Sequence, residues 1–281
     1  MTASLRVMTA SDIPAAVCLK DTAGWNQTAL DWQRFLVADP EGSFVAERDG
    51  KVIGTSATIT FAGKLAWVGM VIVDAEFRGQ GIGKTLLKRA IDYLDGRRIA
   101  CMKLDATPQG RPLYEKLGFR PEYDVERWLL RRDLGSSPEK HSRAPADLDA
   151  VLQLDAEIFG ADRSLLLRSV AQHDPELFVV SKKDGEIAGY AFGRRGSRAD
   201  QFGPWMAFNR DVAEQLLQEF LRRSQREHAF VDCVKPNSWA VELARNYGFE
   251  FSRPLTRMFR GENVLAGKPE LLGSILGPEF G

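Results

Sequence analysis

One order of sequence features occurs twice along this chain of 281 residues. The dipeptide Asp49-Gly50 separates two apolar runs, and the same dipeptide at Asp184-Gly185 separates two more. Asp-Gly in this setting is a strong signal for a two-residue hairpin turn. The tripeptide Leu-Gly-Phe at 117–119 returns as Tyr-Gly-Phe at 247–249, and an arginine-rich segment follows each copy. The repeat predicts a duplicated domain.

The length and the composition agree with two folded domains. A domain usually has about 100–200 residues, so this chain accommodates two of them. Hydrophobic residues make up 44% of the sequence and charged residues 27%, which is typical of globular proteins. Residues 135–145 are rich in Ser, Pro, Lys and His without an apolar period, which indicates a linker. We therefore predict an N-terminal domain at 1–134 and a C-terminal domain at 146–281.

Charge, cysteine content and hydropathy argue against several classes of protein. Lys plus Arg and Asp plus Glu both number 38, so no overall field attracts nucleic acid or an acidic membrane. The three cysteines contain no CxxC pair and the three histidines are scattered, so we expect neither a disulfide framework nor a metal site. No stretch approaches the roughly 20 apolar residues of a membrane helix, and the N-terminal region has no signal-peptide pattern. We expect a cytoplasmic protein.

The first half is predicted to contain two helices, a three-stranded meander, an amphipathic helix, a strand, a short helix and a last strand. Thr28 is a typical N-cap, and the amphipathic helix has apolar residues at helical spacing. The predicted bounds are 11–20 and 28–38 for the first helices, Ser43–Arg48, Lys51–Phe61 and Leu65–Val73 for the meander, 81–94 for the amphipathic helix and 99–104 for the next strand.

A glycine-rich segment joins the third strand to the amphipathic helix. Gly79, Gly81 and Gly83 let backbone amides approach a ligand closely, and a helix N-terminus presents unpaired N–H groups with partial positive charge. The segment therefore predicts an anion cradle, for which phosphate is the natural guest. A tight strand-to-helix turn would account for one or two of the glycines, but not for the flanking Arg78 and Lys84.

Spacing discriminates between phosphate ligands. A Walker A loop ending at Gly83-Lys84-Thr85 requires glycine where Arg78 stands, and a dinucleotide fingerprint requires glycine where Lys84 stands. The pattern Arg-x-x-Gly-x-Gly fits fully, with Gly81 and Gly83 as its glycines. A nucleotide-dependent phosphotransferase therefore fails on spacing.

Together with the segment at 113–119, this loop resembles the GNAT superfamily of acyl-CoA N-acyltransferases. The resemblance implies an α+β fold (a mixed α/β sheet) of two tandem GNAT-like domains, each a mostly antiparallel central sheet flanked by helices. It also implies acetyl-CoA as cosubstrate and no metal. The cofactor-binding residues that it implies are Val71, Ile72 and Val73 on the strand, then Arg78, Gly79, Gln80, Gly81, Ile82, Gly83 and Lys84.

The resemblance also suggests residues for the chemistry. Tyr114 is similar to the family's helix tyrosine that serves the coenzyme sulfur, although a packing tyrosine is the alternative. Leu65–Val73 contains no carboxylate, so Asp105 is the nearest candidate base, against a turn-capping role or a water chain as the base. Trp25 and Asn26, between the first helices, are expected to line the acceptor pocket, with core packing as the alternative for Trp25.

The second half departs from the pattern at the place equivalent to the loop, residues 201–210. Pro204 has no N–H, and bulky Trp205, Met206 and Phe208 replace glycines, so we expect no coenzyme there. Segments 154–163 and 257–261 resemble the C-terminal domain of bacterial tandem-GNAT proteins of the YitH type. With these two segments, the resemblance extends over nearly the whole chain.

The leading interpretation is an acetyl-CoA-dependent N-acetyltransferase that acts on a primary amine of a small molecule. The alternative is a catalytically silent acyl-CoA-binding sensor or interaction protein, because the strand before the loop has no carboxylate. The sequence leaves both a monomer and a homodimer open.

Overall fold

The structure is a computed structural model that describes residues 3–133 and 147–281. The predicted linker at 135–145 lies outside the described residues. The first half has the following elements in chain order: β1 (Ser4–Val7), α1 (Ile13–Thr22), α2 (Ala29–Ala38), β2 (Ser43–Arg48), β3 (Lys51–Phe61), β4 (Leu65–Val73), α3 (Ile82–Gly96), β5 (Cys101–Ala106), α4 (Arg111–Lys116) and β6 (Arg120–Arg131).

From α1 onwards the second half repeats this order, and it adds a short last strand. Its elements are α5 (Leu148–Phe159), α6 (Ser164–His173), β7 (Val179–Lys183), β8 (Glu186–Arg195), β9 (Asp200–Ala207), α7 (Arg210–Arg223), β10 (His228–Val234), α8 (Ala240–Asn246), β11 (Glu250–Gly261) and β12 (Leu272–Ser274). The predicted α+β class, with a mostly antiparallel sheet flanked by helices, is confirmed.

Local signals explain the elements that surround the loop. Asp49 and Gly50 have φ of 54° and 75°, the left-handed pair that a two-residue hairpin turn requires, and they join β2 to β3. Thr28 caps α2 in a reciprocal capping box with Asp31, as the sequence predicts. The predicted strand at 99–104 begins two residues later, and the short edge strand β1 was not predicted at all.

The strands form one continuous mixed sheet that passes through both halves. Within the described ranges the order is β1-β2-β3-β4-β5-β11-β6-β10-β12-β9-β8-β7. The last long strand of the second half, β11, therefore lies between β5 and β6, whereas β6 lies between β11 and β10. The two halves exchange their final long strands, so each half completes the sheet of the other.

Helices cover both faces of the sheet in the first half. Apolar residues of α3, among them Leu86 and Leu87, pack on one face, and Trp32 and Phe35 of α2 pack on the other. α3 and the α1–α2 pair thus define two sides of β4. This difference between the sides matters because β4 borders the candidate site.

Two possible features are missing from residues 3–133 and 147–281. No helix in these ranges is both long and apolar enough to span a membrane. The same residues contain no group of three or more His, Cys, Asp or Glu side chains that could hold a metal ion.

Candidate functional site

A cleft opens between β4 and β5 in the first half. The two strands pair in parallel from Leu65 with Cys101 to Trp67 with Lys103, and no pair continues beyond that point although both strands do. Met70 has a φ of 54° at a register shift between β3 and β4, which marks a β-bulge in β4. The bulge bends β4 away from β5 and leaves backbone groups along the cleft without a neighbouring strand.

The register of β4 determines which backbone groups face the cleft. The N–H of Asp74 donates to the carbonyl of Ile53 on β3 at 2.9 Å. Because backbone groups alternate between the two sides of a strand, those of Val73 and Val71 face the cleft. Ile72 faces β3 and its side chain is only 4% exposed. The backbone of Ile72 is thus turned away from the cleft, and a contact of this residue with coenzyme stays a prediction.

Residues 74–81 form an exposed loop that leads into α3. Arg78 donates from Nε to the carbonyl of Val73 at 3.0 Å, which ties the loop to the cleft edge. Gly79 and Gly81 have φ of 76° and 80°, and a Cβ added at either position would meet no atom within 4 Å. The loop thus places exposed glycines with a left-handed backbone directly before the N-terminus of α3, which fits an anionic ligand.

The other predicted loop residues have different environments. Gln80 accepts a hydrogen bond from Nη1 of Arg48 at 3.3 Å, which links the loop to the end of β2. Ile82 is buried at the first turn of α3 and anchors the helix to the core. Gly83 is half-buried, and Lys84 is exposed beside it. Ile82 therefore positions the loop through its side chain and has only its backbone to offer a ligand.

Tyr114 lies on α4, the short helix that follows β5. Its half-buried ring packs edge-to-face against Phe119 with 6.2 Å between the centroids. A Cβ at Gly110 would lie 2.9 Å from the ring, so the tyrosine requires a glycine at this position. Burial raises the pKa of Tyr114 to about 12. The phenol therefore keeps its proton at neutral pH and is suited to donate a hydrogen bond or a proton.

Asp105 has a different environment from the one expected of a general base. Its carboxylate receives two hydrogen bonds from Arg257 of β11, both at 2.9 Å, and its side chain is fully buried. Burial raises the pKa of Asp105, and the charge of Arg257 opposes this shift. The same arrangement recurs in the second half, where Arg127 of β6 donates twice to Asp232 of β10 at 2.7 Å. The ion pair with Arg257 links β5 to the exchanged strand β11, and the role of Asp105 as base stays a prediction.

The residues between α1 and α2 also bind the two halves together. Asn26 is 2% exposed and its amide oxygen accepts from the N–H groups of Arg198 and Ala199, both at 3.0 Å. Its amide nitrogen donates to the carbonyl of Ala199 at 3.1 Å. These bonds join the α1–α2 connection to residues 198 and 199 of the second half, and the lining of an acceptor pocket by Asn26 stays a prediction. The neighbouring Trp25 is half-buried and packs against the core.

The described segment between β9 and α7 has no counterpart of the glycine-rich loop at 74–81. Residues 201–207, which we expected in the loop, belong to β9, and only Phe208 and Asn209 separate that strand from α7. Asn209 caps α7 by accepting from the N–H of Val212 at 3.0 Å. Ala244 stands four residues before Gly248, at the position equivalent to Tyr114.

The cleft of the second half is filled by the chain itself. β9 and β10 pair in parallel over three residues and then separate, as β4 and β5 do, but β12 lies between them. Ser274 of β12 pairs with Cys233 on one side and with Trp205 on the other. A Cβ at Gly203 would lie 1.9 Å from the carbonyl oxygen of Ile275, so β9 and this segment touch directly. An extended chain segment thus occupies the position that is open in the first half.

Sequence reasoning missed β12 and residues 275–281, which we call the β12 extension. The extension carries no motif, but Ile275, Leu276 and Phe280 are fully buried. An apolar run of this kind after the last repeated element is the signal that could have identified it as part of the core.

Each half of the chain matches a model of a known protein family. Residues 15–119 match the model of the acetyltransferase (GNAT) family, and residues 151–272 match that of the acetyltransferase (GNAT) domain. The uncharacterized N-acetyltransferase YitH of Bacillus subtilis is 30% identical over 209 residues, which are 69% of this chain and 70% of the relative.

Two crystal structures share the fold over almost the whole chain. A putative acetyltransferase from Pyrococcus horikoshii has a TM-score of 0.82 at 23% identity and covers 100% of this chain and 96% of its own. A GCN5-related N-acetyltransferase from Sphaerobacter thermophilus has a TM-score of 0.68 at 19% identity, and the match covers 93% of this chain and 98% of the Sphaerobacter chain. At these identities the likeness concerns the fold alone. With the family matches in both halves and the relative from Bacillus subtilis, it follows that the chain is an acetyltransferase of the GNAT family, in the tandem arrangement of YitH.

Proposed function

We propose that the first half binds acetyl-CoA in the cleft between β4 and β5 and transfers the acetyl group to a primary amine of a small molecule. The observation that carries this proposal is the contrast between the two halves. The same cleft is open in the first half and is filled by β12 in the second half. The second cleft shows that this geometry accepts an extended chain with amide groups, and the pantetheine arm of the coenzyme is such a chain.

The loop and the strand edge divide the coenzyme between them. The amides around Gly79 and Gly81 bind the pyrophosphate, since they belong to an exposed loop directly before the N-terminus of α3. The backbone groups of Val71 and the N–H of Val73 bind the pantetheine arm, whereas Arg78 already uses the carbonyl of Val73. The positive charge of Arg78 adds to the attraction for phosphate.

The reaction requires a neutral amine and a proton donor. The neutral amine nitrogen attacks the thioester carbon and the C–N bond forms. The nitrogen then gives up one proton to water, the C–S bond breaks and the leaving sulfur takes up a proton. Tyr114 supplies a hydrogen bond or that proton, because its phenol stays protonated at neutral pH. An alkylamine with a pKa near 10 must first lose a proton. Asp105 is held by Arg257, so we assign this step to water.

The second half, residues 146–281 in the proposed division, serves as a partner that completes the first. It has only two residues between β9 and α7, an alanine in place of the catalytic tyrosine and a filled cleft. We therefore assign the coenzyme to residues 1–134 alone. The second half contributes β11, which covers the edge of β5.

Two measurements test the proposal. In a thermal-shift titration of the full chain, acetyl-CoA and CoA should raise the melting temperature and ATP alone should not, because binding to the native state stabilises it. Release of free thiol from acetyl-CoA should then depend on an added primary amine from a broad panel. Stabilisation by ATP without stabilisation by CoA would overturn the assignment of the loop.

A silent acyl-CoA-binding protein is the second candidate. It is favoured by one observation, the full engagement of Asp105 by Arg257, since β4 has no carboxylate of its own. Binding of CoA without amine-dependent thiol release across the panel would decide for this candidate.

A further inference from the structure

A cavity of about 200 Å³ lies between α2 of the first half and α6 of the second half, and we call it the α2–α6 cavity. Counted from the first residue of each helix, Leu30 and Leu165 hold equivalent positions, and so do Arg34 and Ser169. All four of these residues line the cavity. The cavity therefore forms where equivalent faces of two repeated helices meet.

The α2–α6 cavity is separate from the coenzyme cleft. None of the described residues that line it belongs to β4, to β5 or to the loop at 74–81. Its contact with the sheet is Ile59 of β3, which pairs with Trp67 of β4. Trp67 is also the last residue of β4 that pairs with β5, and the cleft opens beyond it. An occupant of the cavity would therefore leave the cleft free.

The walls of the cavity are mostly apolar and run from solvent into the core. Ile59 and Leu166 are buried, whereas Val37 and Leu165 at the rim are 70% and 60% exposed. An apolar cavity of about 150 Å³ already accepts a benzene ring. The α2–α6 cavity therefore has room for an apolar body of at least about six carbon atoms.

One charged group, Arg34, lies in this apolar lining, and its side chain is only 4% exposed. Nη1 of Arg34 donates to Asp31 at 2.6 Å, and Nε donates to the hydroxyl of Ser169 at 3.2 Å. Nη2 is buried and has no hydrogen-bond partner among the described residues. Burial lowers the pKa of Arg34, and the charge of Asp31 opposes this shift. A buried donor without an acceptor destabilises the fold, so Nη2 calls for a partner.

Three other buried arginines show what the Nε and Nη2 edge of a guanidinium holds in this protein. In each of them, Nε and Nη2 donate to the two oxygens of one carboxylate at 2.7–2.9 Å. The pairs are Arg257 with Asp105, Arg127 with Asp232, and Arg163 with Asp155. The same edge of Arg34 holds a single hydroxyl and leaves Nη2 without an acceptor. A carboxylate is therefore the group that this edge lacks.

We propose that the α2–α6 cavity binds a small monocarboxylic acid with an apolar body. The carboxylate accepts from Nη2 of Arg34 and from the hydroxyl of Ser169, whose oxygen already accepts from Nε. The apolar body lies against Ile59 and Leu166. Hydrogen bonds between two charged groups are roughly twice as strong as neutral ones, so the acid is favoured over its amide. This inference does not depend on acetyl transfer in the first half.

Isothermal titration of the full chain with three probes tests the chemistry of the site. We expect hexanoate to bind. Acetate should bind at least about tenfold more weakly because it lacks most of the apolar body, and hexanamide should do so because it lacks the charge. Equal affinities for hexanoate and hexanamide, or no binding of hexanoate at millimolar concentration, would overturn the proposal.

Three variants test the location of the site. Ser169→Leu fills the cavity and removes the hydroxyl, and Arg34→Lys keeps the charge but removes the planar edge. Gln172→Leu is the matched control, because it also places a leucine on α6 but at an exposed residue outside the cavity lining. The first two variants should weaken hexanoate binding at least about tenfold, and the control should leave it unchanged.

Urea unfolding of each variant shows whether it is folded, and if Arg34→Lys is not, Ser169→Leu decides alone. Hexanoate affinity that stays unchanged in folded Ser169→Leu would overturn the site. The rise in melting temperature with CoA should be the same in all folded variants, since the cavity lies outside the cleft. Absence of that rise in the unmodified chain would overturn the proposed function and leave the carboxylate site standing.

Discussion

Replacing Asp105 by asparagine distinguishes a base from a group that holds two strands together. Asparagine is nearly isosteric, but it removes the negative charge that faces Arg257 at 2.9 Å. Asp232→Asn likewise removes the negative charge that faces Arg127. Asp232 lies on β10 of the second half, which we propose not to bind coenzyme. The internal repeat thus supplies a control with the same chemistry, the same depth and the same strand register.

The expected loss of stability follows from the burial of both pairs. Removal of one partner from a buried ion pair costs about 3–5 kcal/mol, because the remaining charge is left without compensation. Asparagine keeps one acceptor for the guanidinium, so we expect a value near the lower end, about 3 kcal/mol. For a chain of this length that lowers the melting temperature by roughly 6–12 °C. Asp232 also accepts from Gln201 at 3.0 Å, so its variant should lose slightly more.

Urea unfolding at 25 °C and thiol release below both melting temperatures measure the two effects separately. Both variants should lose similar stability and should keep amine-dependent turnover within a few-fold of the unmodified chain. A general base contributes about 10²–10⁴-fold. A loss of that size confined to Asp105→Asn would refute our reasoning and return Asp105 to the role of base. Unchanged stability in either variant would show that the ion pairs do not hold the exchanged strands.

Three further predictions concern the loop, the tyrosine and an ion pair at the first helix. Gly81→Val should abolish stabilisation by CoA. Gly50→Val changes an equally open turn glycine with positive φ, so it should lower the melting temperature without affecting CoA binding. Loss of CoA binding in both variants would show a global effect. Tyr114→Phe should lower turnover about 10²-fold and leave the CoA titration unchanged, and an unchanged rate would remove the phenol from the mechanism. The hydrogen bonds from Arg6 hold the pKa of Asp12 at about 2, below its usual 3.8. This pair therefore stabilises the fold above pH 4 and loses its effect as the pH falls towards 2. Asp12→Asn should cost about 1–2 kcal/mol at pH 7, reduced by the exposure of Arg6. In urea unfolding at pH 2 the cost should be clearly smaller, because about half of the carboxyl is then protonated in the folded chain. An equal cost at both pH values would contradict the assignment.

Elements whose determinants are local could be predicted from the sequence. The hairpin of β2 and β3 depends on Asp49-Gly50, and α2 depends on the cap at Thr28, so a few adjacent residues specify each of them. The glycine-rich loop at 74–81 is of the same kind, because its glycines and the helix that follows are contiguous; its binding of phosphate stays a prediction. β1 was missed because its four residues form an exposed edge with no alternation of burial to detect.

Features that depend on distant partners could not be predicted. Asp105 and Arg257 are 152 residues apart, and nothing near Asp105 indicates that a guanidinium from β11 will neutralise it. Asn26 likewise has its partners 172 and 173 residues away. Each of these polar residues was interpreted as functional because its partners in the other half of the chain leave no sign in the sequence around it. The filled second cleft escaped prediction for the same reason, since β12 carries no signature of its partners.

The exchange of strands also determines when the sheet can be completed as the chain is synthesised. β5 already has β4 on one side, but it receives its second neighbour only when β11 has been made. Arg257 of β11 follows Asp105 of β5 by 152 residues. At about 5–20 residues per second, the edge of β5 stays unpaired for roughly 8–30 s. An unpaired edge is a template for other chains, so a ribosome that stalls within the second half would release an aggregation-prone fragment. The first half carries the loop, yet it becomes a finished domain only when the last long strand of the second has been added.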